Sequence, residues 1–348
     1  EQIKKQNKQV NVGFKKIKIK LDLKKFNLFL ITQNPKIQYE GTNIPIKEVR
    51  VYLKLSSIIK NKPQLNRIVI SNNQVDISTI KKIITRSKPS NLKSFFLNNI
   101  NGGILNKSLI DLKFKDTFVL EDYKINGSFE NIEAKLKENK ISKVNFNFIF
   151  DKNLILINSI RASYEGINIK NGSIDVKRSK ITEIEGNLNS FIDLNEIKIN
   201  NIEYFKNSKF LFKNKINLKG EMLHSFNISL SETLEVLNYK YNAKGKNLYL
   251  EYVFNKKIKS NFFENDLKKL TSKKMNVEFN LNKKERQFLV EGEYSTNNSE
   301  FKKYKIINTN DKDSEFDIDL DLSEKLFIKF LNFKNNPKKK SNIKTKFY

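Results

Sequence analysis

The chain has 348 residues, 38% of them hydrophobic and 30% charged, with a formal net charge of +28. It contains no Cys, which excludes disulfides and thiolate metal sites, and its one His cannot form a histidine metal cluster. No run of about 18 apolar residues is present, so no segment reads as a membrane-spanning helix.

The charge is uneven. Residues 1–93 hold 21 Lys/Arg against 5 Asp/Glu, and the tail from Lys334 holds 6 Lys and no acid. Basic ends favour an anionic partner, a lipid surface or a nucleic acid. A bland source competes, because Lys, Asn and Ile are abundant throughout, as in AT-rich genomes; it accounts less well for the N-terminal clustering. The first residue is Glu, not Met, which suggests a piece of a longer or processed chain and leaves room for an upstream signal or anchor.

In chain order, Glu1 to Gln9 is polar and basic. Phe14 to Leu23 then alternates, with Ile17, Ile19, Leu21 and Leu23 on one face and Lys16, Lys18, Lys20 and Asp22 on the other. Glu48 to Leu55 alternates as strictly: Val49, Val51, Leu53 and Leu55 oppose Glu48, Arg50, Tyr52 and Lys54. Pro45 and Pro63 bracket that strand. Ser56 to Asn61 reads as one helical turn, and Leu65 to Ile70 as a returning strand. At Ser78 to Arg86 the period changes, because Ile80, Ile83 and Ile84 sit at helical spacing with Ser78 as cap. Leu92, Phe95 and Phe96 suggest a second short helix.

From Ile104 onward the period is almost always two. Val144, Phe146, Phe148 and Phe150 form one strand face, as do Met275, Val277, Phe279 and Leu281, and Phe316, Ile318, Leu320 and Leu322. Phe263, Leu267 and Leu270 read as a short helical interruption. Asn171-Gly172 is a favoured pair for a two-residue hairpin turn, and a turn there sets Ile169 opposite Ile174. Asn126-Gly127 fails the same register test, so Tyr123 to Phe129 reads as one continuous strand. A weak internal repeat is present: Tyr39-Glu40-Gly41-Thr42-Asn43-Ile44 recurs as Tyr164-Glu165-Gly166-Ile167-Asn168-Ile169, each copy bending at Gly.

No phosphate-loop, dinucleotide, zincin or nucleophile-elbow signature occurs, so the reading is non-enzymatic, with no catalytic residue, no metal and no cofactor. The lone His224, in an alternating stretch, reads as a surface or interface residue. Asp317, Asp319 and Asp321 alternate with apolar residues and lack the glycine turn of a calcium loop, which favours a strand with a solvated acidic face. Nucleic-acid binding is disfavoured because most Phe residues fall on apolar strand faces and no recognition helix is visible.

Roughly twenty strands about 4.8 Å apart would make an unbroken sheet on the order of 100 Å long, and sheets of that size curl or split. Two coverings of the apolar face stay open: a second sheet, giving a structural or adhesive sandwich of the envelope, or a ligand, giving a long curled groove that shelters acyl chains. The expectation is a mostly β chain, a long curled antiparallel sheet forming a repeating β-groove, with short helices near residues 78–99 and 262–271. Its expected divisions are 1–100, 101–333 and a basic tail 334–348.

The segment NPKIQYEGTNIPIKEVRVYLKLSSIIKNKPQLNRIVISNNQVDIS, residues 34–78, resembles the N-terminal region of the AsmA-like superfamily, and SIRASYEGINIKNGSIDVK, residues 159–177, resembles its later strand repeats. The resemblance implies a bridge-like lipid-transfer protein of the bacterial envelope. Such a protein is held at the inner membrane by an anchor upstream of this chain, reaches into the periplasm and carries phospholipid toward the outer membrane and a protein partner there. Under that expectation Val49, Val51, Leu53, Leu55, Phe146, Phe148, Ile169 and Ile174 line the groove. Lys15, Lys16, Lys18 and Lys20 meet the anionic membrane surface.

Overall fold

The computed structural model describes residues 10–14, 16–22, 27–54, 57–58, 64–86, 88–115, 119–136, 139–202, 214–258, 266–308, 314–321, 327–328, 333–334 and 340–347. The chain is mostly β, built of antiparallel strands in a sheet that does not close into a barrel. Its contacts separate two units: Glu1–Ala162 with Asp175–Ser179, and Ser163–Ile174 with Lys180–Tyr348.

In the first unit β1 (Val10–Gly13), β4 (Lys36–Tyr39) and β5 (Thr42–Ile44) make a small sheet of their own. The main ladder runs β2 (Ile17–Asp22), β3 (Asn27–Gln33), β6 (Ile46–Leu53), β7 (Leu65–Asn72), β9 (Ile100–Phe114), β10 (Leu120–Leu136) and β11 (Asn139–Asp151), with the short β8 (Val75–Asp76) also on β9. β12 (Leu154–Tyr164) and β13 (Ile167–Arg178) contribute residues to both units. The second unit continues through β14 (Thr182–Asn195), β15 (Lys215–Leu230), β16 (Val236–Ile258), β17 (Leu267–Asn282), β18 (Arg286–Thr296), β19 (Lys302–Asn308) and β20 (Ser314–Asp321). Two short strands, β21 (Phe327–Ile328) and β22 (Phe333–Lys334), pair with each other, and β23 (Lys340–Phe347), in the basic tail, pairs with β20. The residue-100 boundary expected from sequence falls where β9 begins, and β9 pairs back onto β7.

Three short helices have described bounds. α1 (Ile77–Thr85) buries Ile77, only 1% exposed. Its N-cap is Asp76, not Ser78, which lies one residue inside the helix and is exposed. α2 (Asn91–Asn99) is capped by Ser90, whose side chain accepts the Lys93 N–H. α3 (Glu196–Asn201) has no counterpart in the sequence reading; Asn195 caps it by accepting the Lys198 N–H.

Two further expectations are corrected. Leu267 and Leu270 are not helical but belong to β17, opposite Ile258 and Tyr252 on β16. Thr271 and Ser272, adjacent and both buried, stand on opposite faces and put polar residues where the period-two pattern would need an apolar one. Phe263 lies outside the described residues. Asn171-Gly172 is not a turn, because β13 runs through it unbroken. The reversal falls earlier, at Glu165-Gly166, where both residues take positive φ, 41° and 87°. Its repeat partner Glu40-Gly41 does the same at 46° and 79°, so both copies of the sequence repeat form two-residue turns of the favoured primed hand. Each turn also leans on a helix. Arg86, at the end of α1, ion-pairs with Glu40 and donates to its carbonyl, and Asn201 of α3 donates to the Glu165 carboxylate.

A second, unanticipated repeat lies in the β-bulges. On β10 the αL residue Asn131 donates its N–H to the Asn145 side chain of β11, two residues after the αL residue Lys143. On β16 the αL residue Asn247 donates to Asn276 of β17, two residues after αL Lys274. Each bulge presses a buried residue, Ile132 or Leu248, onto a positive-φ glycine of the preceding strand, Gly103 or Gly220. A β-carbon at Gly103 would sit 2.8 Å from the Ile132 Cα, with φ at +126°. Gly103→Ala therefore should destabilise the chain by about 2–4 kcal/mol from overpacking and backbone strain together. Gly102→Ala, where a β-carbon meets nothing within 4 Å, should change stability by less than about 0.5 kcal/mol. Urea unfolding of the two variants checks the contrast.

Candidate functional site: an apolar sheet face in each unit

Register, not sequence distance, assembles the site. In the first unit one cross-strand row runs Ile17, Thr32, Val49, Ile70, Ile110, Ile125 and Phe150 across seven strands. The next row runs Ile19, Leu30, Val51, Ile68, Leu112 and Tyr123. A third begins Leu21, Leu28, Leu53 and Leu65. Phe129, Phe146 and Phe148 cluster on the same face, with ring centroids 5.2 to 6.5 Å apart. Gly127 lies opposite Phe148. Val49 and Leu65 are buried, but most of the other apolar residues are only half-buried, and Ile17, Ile19 and Leu21 on β2 stand 52–69% exposed.

The second unit repeats the arrangement. Its rows run Ser190, Met222, Gly245, Val277, Val290, Ile306 and Ile318, and Leu188, His224, Ala243, Phe279 and Phe288. One end is closed by a core of Ile192, Leu194, Ile199, Ile202, Ile216 and Tyr252 beneath α3. Met222, His224, Val277, Phe279, Phe288 and Val290 remain half-buried.

Of the expected groove residues, Val49, Val51, Leu53, Phe146 and Phe148 share the first unit's apolar face; Leu55 lies outside the described residues. Ile169 and Ile174 are not cross-strand partners, since both lie on β13. Lys170 pairs with Glu221 on the wet face, whereas a β-carbon at Gly172 would meet Leu188 and the Asn187 carbonyl from the apolar side. Alternation therefore slips at Asn171, and the slip returns Ile174 to the face of Ile169.

The opposite faces carry cross-linking ion pairs, with Ile31 and Val69 buried among them on that of the first unit. Arg67 forks onto Asp111 with both bonds at 2.6 Å. Lys170–Glu221 reaches from β13 past Phe191 of β14 to β15 at 2.6 Å, Lys244–Glu278 and Lys269–Glu251 span neighbouring strands at 3.2 and 2.8 Å, and Glu293 sits between Lys273 and Lys274. The latter contacts hold the Glu251 and Glu293 carboxyls below their usual range, Lys269 acting on the first and Lys274 on the second. Each exposed pair contributes little by itself, and together they engage five of the second unit's lysines with its own carboxylates. Asp317, Asp319 and Asp321 lie on β20, where Asp319 faces Lys305 across the ladder. Lys16, Lys18 and Lys20 are exposed and, with Ile31, Gln33 and Asn34, line a shallow cleft beside β2. Lys15 lies outside the described residues.

Sequence reasoning missed one polar group. His224 belongs to the apolar face, not to a wet surface, and its Nε2 and Nδ1 lie 2.8 Å from the Ser190 hydroxyl and the Tyr241 hydroxyl. The signal that could have found it is the in-phase position of His224 with Met222 and Phe226. No protein-family model, curated protein or solved structure matches this chain.

Burial lowers the His224 pKa below its ordinary value of 6.5. The unfolded chain therefore takes up the proton more readily than the native one, and stability is lost progressively as pH falls from about 6.5 through the lower folded value. Urea midpoints at pH 7.5 and pH 5.0 should fall further apart for the native sequence than for His224→Gln, which cannot titrate.

Proposed function

We propose that the chain is a non-enzymatic lipid-transfer protein whose apolar sheet faces shelter phospholipid acyl chains while headgroups stay in water. The observation that carries this reading is the half-exposure of rows such as Leu30, Val51, Ile68, Leu112 and Tyr123. In a sandwich of two sheets, residues at the centre of an inner face are covered by the second layer. Here, among the described residues, the row is left partly open, and hydrocarbon is the covering that its chemistry favours. Each methylene transferred onto such a face contributes about 0.8 kcal/mol, and contact with a row of apolar side chains such as the first unit's lets a chain slide.

The AsmA-like resemblance supplies the setting: the periplasm, an inner-membrane anchor upstream of this chain, and phospholipid passed toward an outer-membrane protein partner. In that setting Lys16, Lys18 and Lys20 of β2 meet the anionic inner-membrane surface, beside the exposed Ile17, Ile19 and Leu21. The competing anionic-polymer reading is weakened by the cross-strand carboxylates that already engage Lys170, Lys244 and Lys269.

Protein purified under mild conditions should carry phospholipid detectable by native mass spectrometry. Val51→Glu, which places a charge in the middle of the row, should lower retention about 50-fold if roughly three methylenes lose their contact. Lys124→Glu on the wet face should leave it unchanged. Absence of lipid from the native sequence overturns the reading. Changing Lys16, Lys18 and Lys20 together to Gln should weaken sedimentation with anionic vesicles about 100-fold at low salt, at about 1 kcal/mol per lysine, and a vesicle affinity that does not change would remove β2 from the membrane contact.

A further inference from the structure

The second unit's apolar face carries two polar clusters among the described residues, a Ser272–Tyr304 hydroxyl pair and the longer chain Ser190–His224–Tyr241, whose histidine is set among residues that cannot hydrogen-bond through their side chains. The cross-strand neighbours of His224 are Leu188 on β14 and Ala243 on β16, and Met222 and Phe226 flank it on its own strand. Ser190 is only 1% exposed, and the only side-chain partner of its hydroxyl among the described residues is His224 Nε2.

That burial fixes the direction of the chain. A buried hydroxyl left without an acceptor is costly, so Ser190 donates to Nε2. The ring proton then sits on Nδ1 and is donated to the Tyr241 hydroxyl oxygen, 2.8 Å away. Tyr241 thus accepts from the histidine and keeps its own O–H proton. Its ring is held by stacking on His224 at 6.1 Å and by an edge contact with Phe279 at 6.0 Å. Burial keeps the imidazole neutral and pushes the Tyr241 pKa up, so the phenol stays protonated.

We propose that the Tyr241 hydroxyl is a binding contact for the ester carbonyl oxygen of an acyl lipid lying on this face. The inference rests on the lipid reading above and gives it a fixed point. The ligand must offer a neutral acceptor flanked by hydrocarbon. A phosphate fits poorly, because the residues facing His224 from β14 (Gly186, Leu188 and Ser190) and from β16 (Tyr241, Ala243 and Gly245) include no cation. An acyl ester has the required acceptor between two apolar arms.

The test compares diester phosphatidylcholine with its diether analogue, which lacks the carbonyl, on the full chain and on Tyr241→Phe, with oleate as a third probe. The native chain should retain the diester about fivefold better than the diether, the worth of one neutral hydrogen bond, and Tyr241→Phe should bind the two equally. An unchanged diester-to-diether ratio in Tyr241→Phe overturns the proposal while leaving the lipid reading intact. Oleate retention that falls in Tyr241→Phe, with no diester preference in the native chain, overturns the ester assignment in favour of a carboxylate. Retention of no lipid at all overturns both readings. Independently of lipid, nitrogen NMR of the single histidine should find the proton on Nδ1, and a proton on Nε2 overturns the proposal.

Discussion

A strand keeps its greasy side chains on one face only while its backbone alternation is unbroken, and each bulge breaks it. This constraint governs the whole molecule. On β10 the apolar positions are odd through Ile125 and Phe129 and even from Ile132 onward; on β16 they are odd through Tyr241 and Ala243 and even from Leu248. In both places a positive-φ Asn makes the switch and an Asn on the next strand accepts its N–H. The bulge on one strand is answered by another on its neighbour, Lys143 or Lys274, so the rows regain register instead of scattering across both faces. The same device in both units, with glycine beneath it each time, indicates a repeated structural module that identity of sequence does not reveal.

That constraint also explains what was legible in advance. Alternation over Glu48–Leu53, Val144–Phe150 and Phe316–Leu320 needs no tertiary information, because a strand with one wet face writes its geometry into every second residue. The turns at Glu40-Gly41 and Glu165-Gly166 were visible as a repeat. The slip at Asn171 was not, because the Asn-Gly pair that signals a turn also suits a strand irregularity where the glycine packs against Leu188. Bulges at Lys107, Lys143 and Lys274 put a non-glycine residue into the left-handed region, and lysine carries no local preference that would announce it. α3 is too short for its period to show, and its stability comes from Ile199 and Ile202 packing into the core beneath it.

The polar faces bear on how the net charge is held. Carboxylates of the second unit meet lysines on adjacent strands, as Glu251, Glu278 and Glu293 do, or two strands away, as Glu221 does. Acidic β20 lies between basic neighbours, with Asp319 opposite Lys305 and Asp317 opposite Lys344 in the ladder. The first unit has its own pairs, Arg67–Asp111 and Lys113–Asp122, yet β2 keeps three exposed lysines.

β2 therefore combines two features that sheets ordinarily avoid together: exposed Ile17, Ile19 and Leu21 on one side and a like-charged row on the other. Lysines on an edge strand discourage pairing with another basic strand, since charges stacked at about 4.8 Å repel. The apolar side gains only if something non-aqueous covers it. Under the proposed function, a bilayer leaflet, anionic at its rim and hydrocarbon beneath, would satisfy both sides of β2 at once. The same strand begins the rows that end at Phe150 and Tyr123, and the row from Ile19 through Leu30, Val51 and Ile68 contains no charged residue, as the proposed lipid function requires.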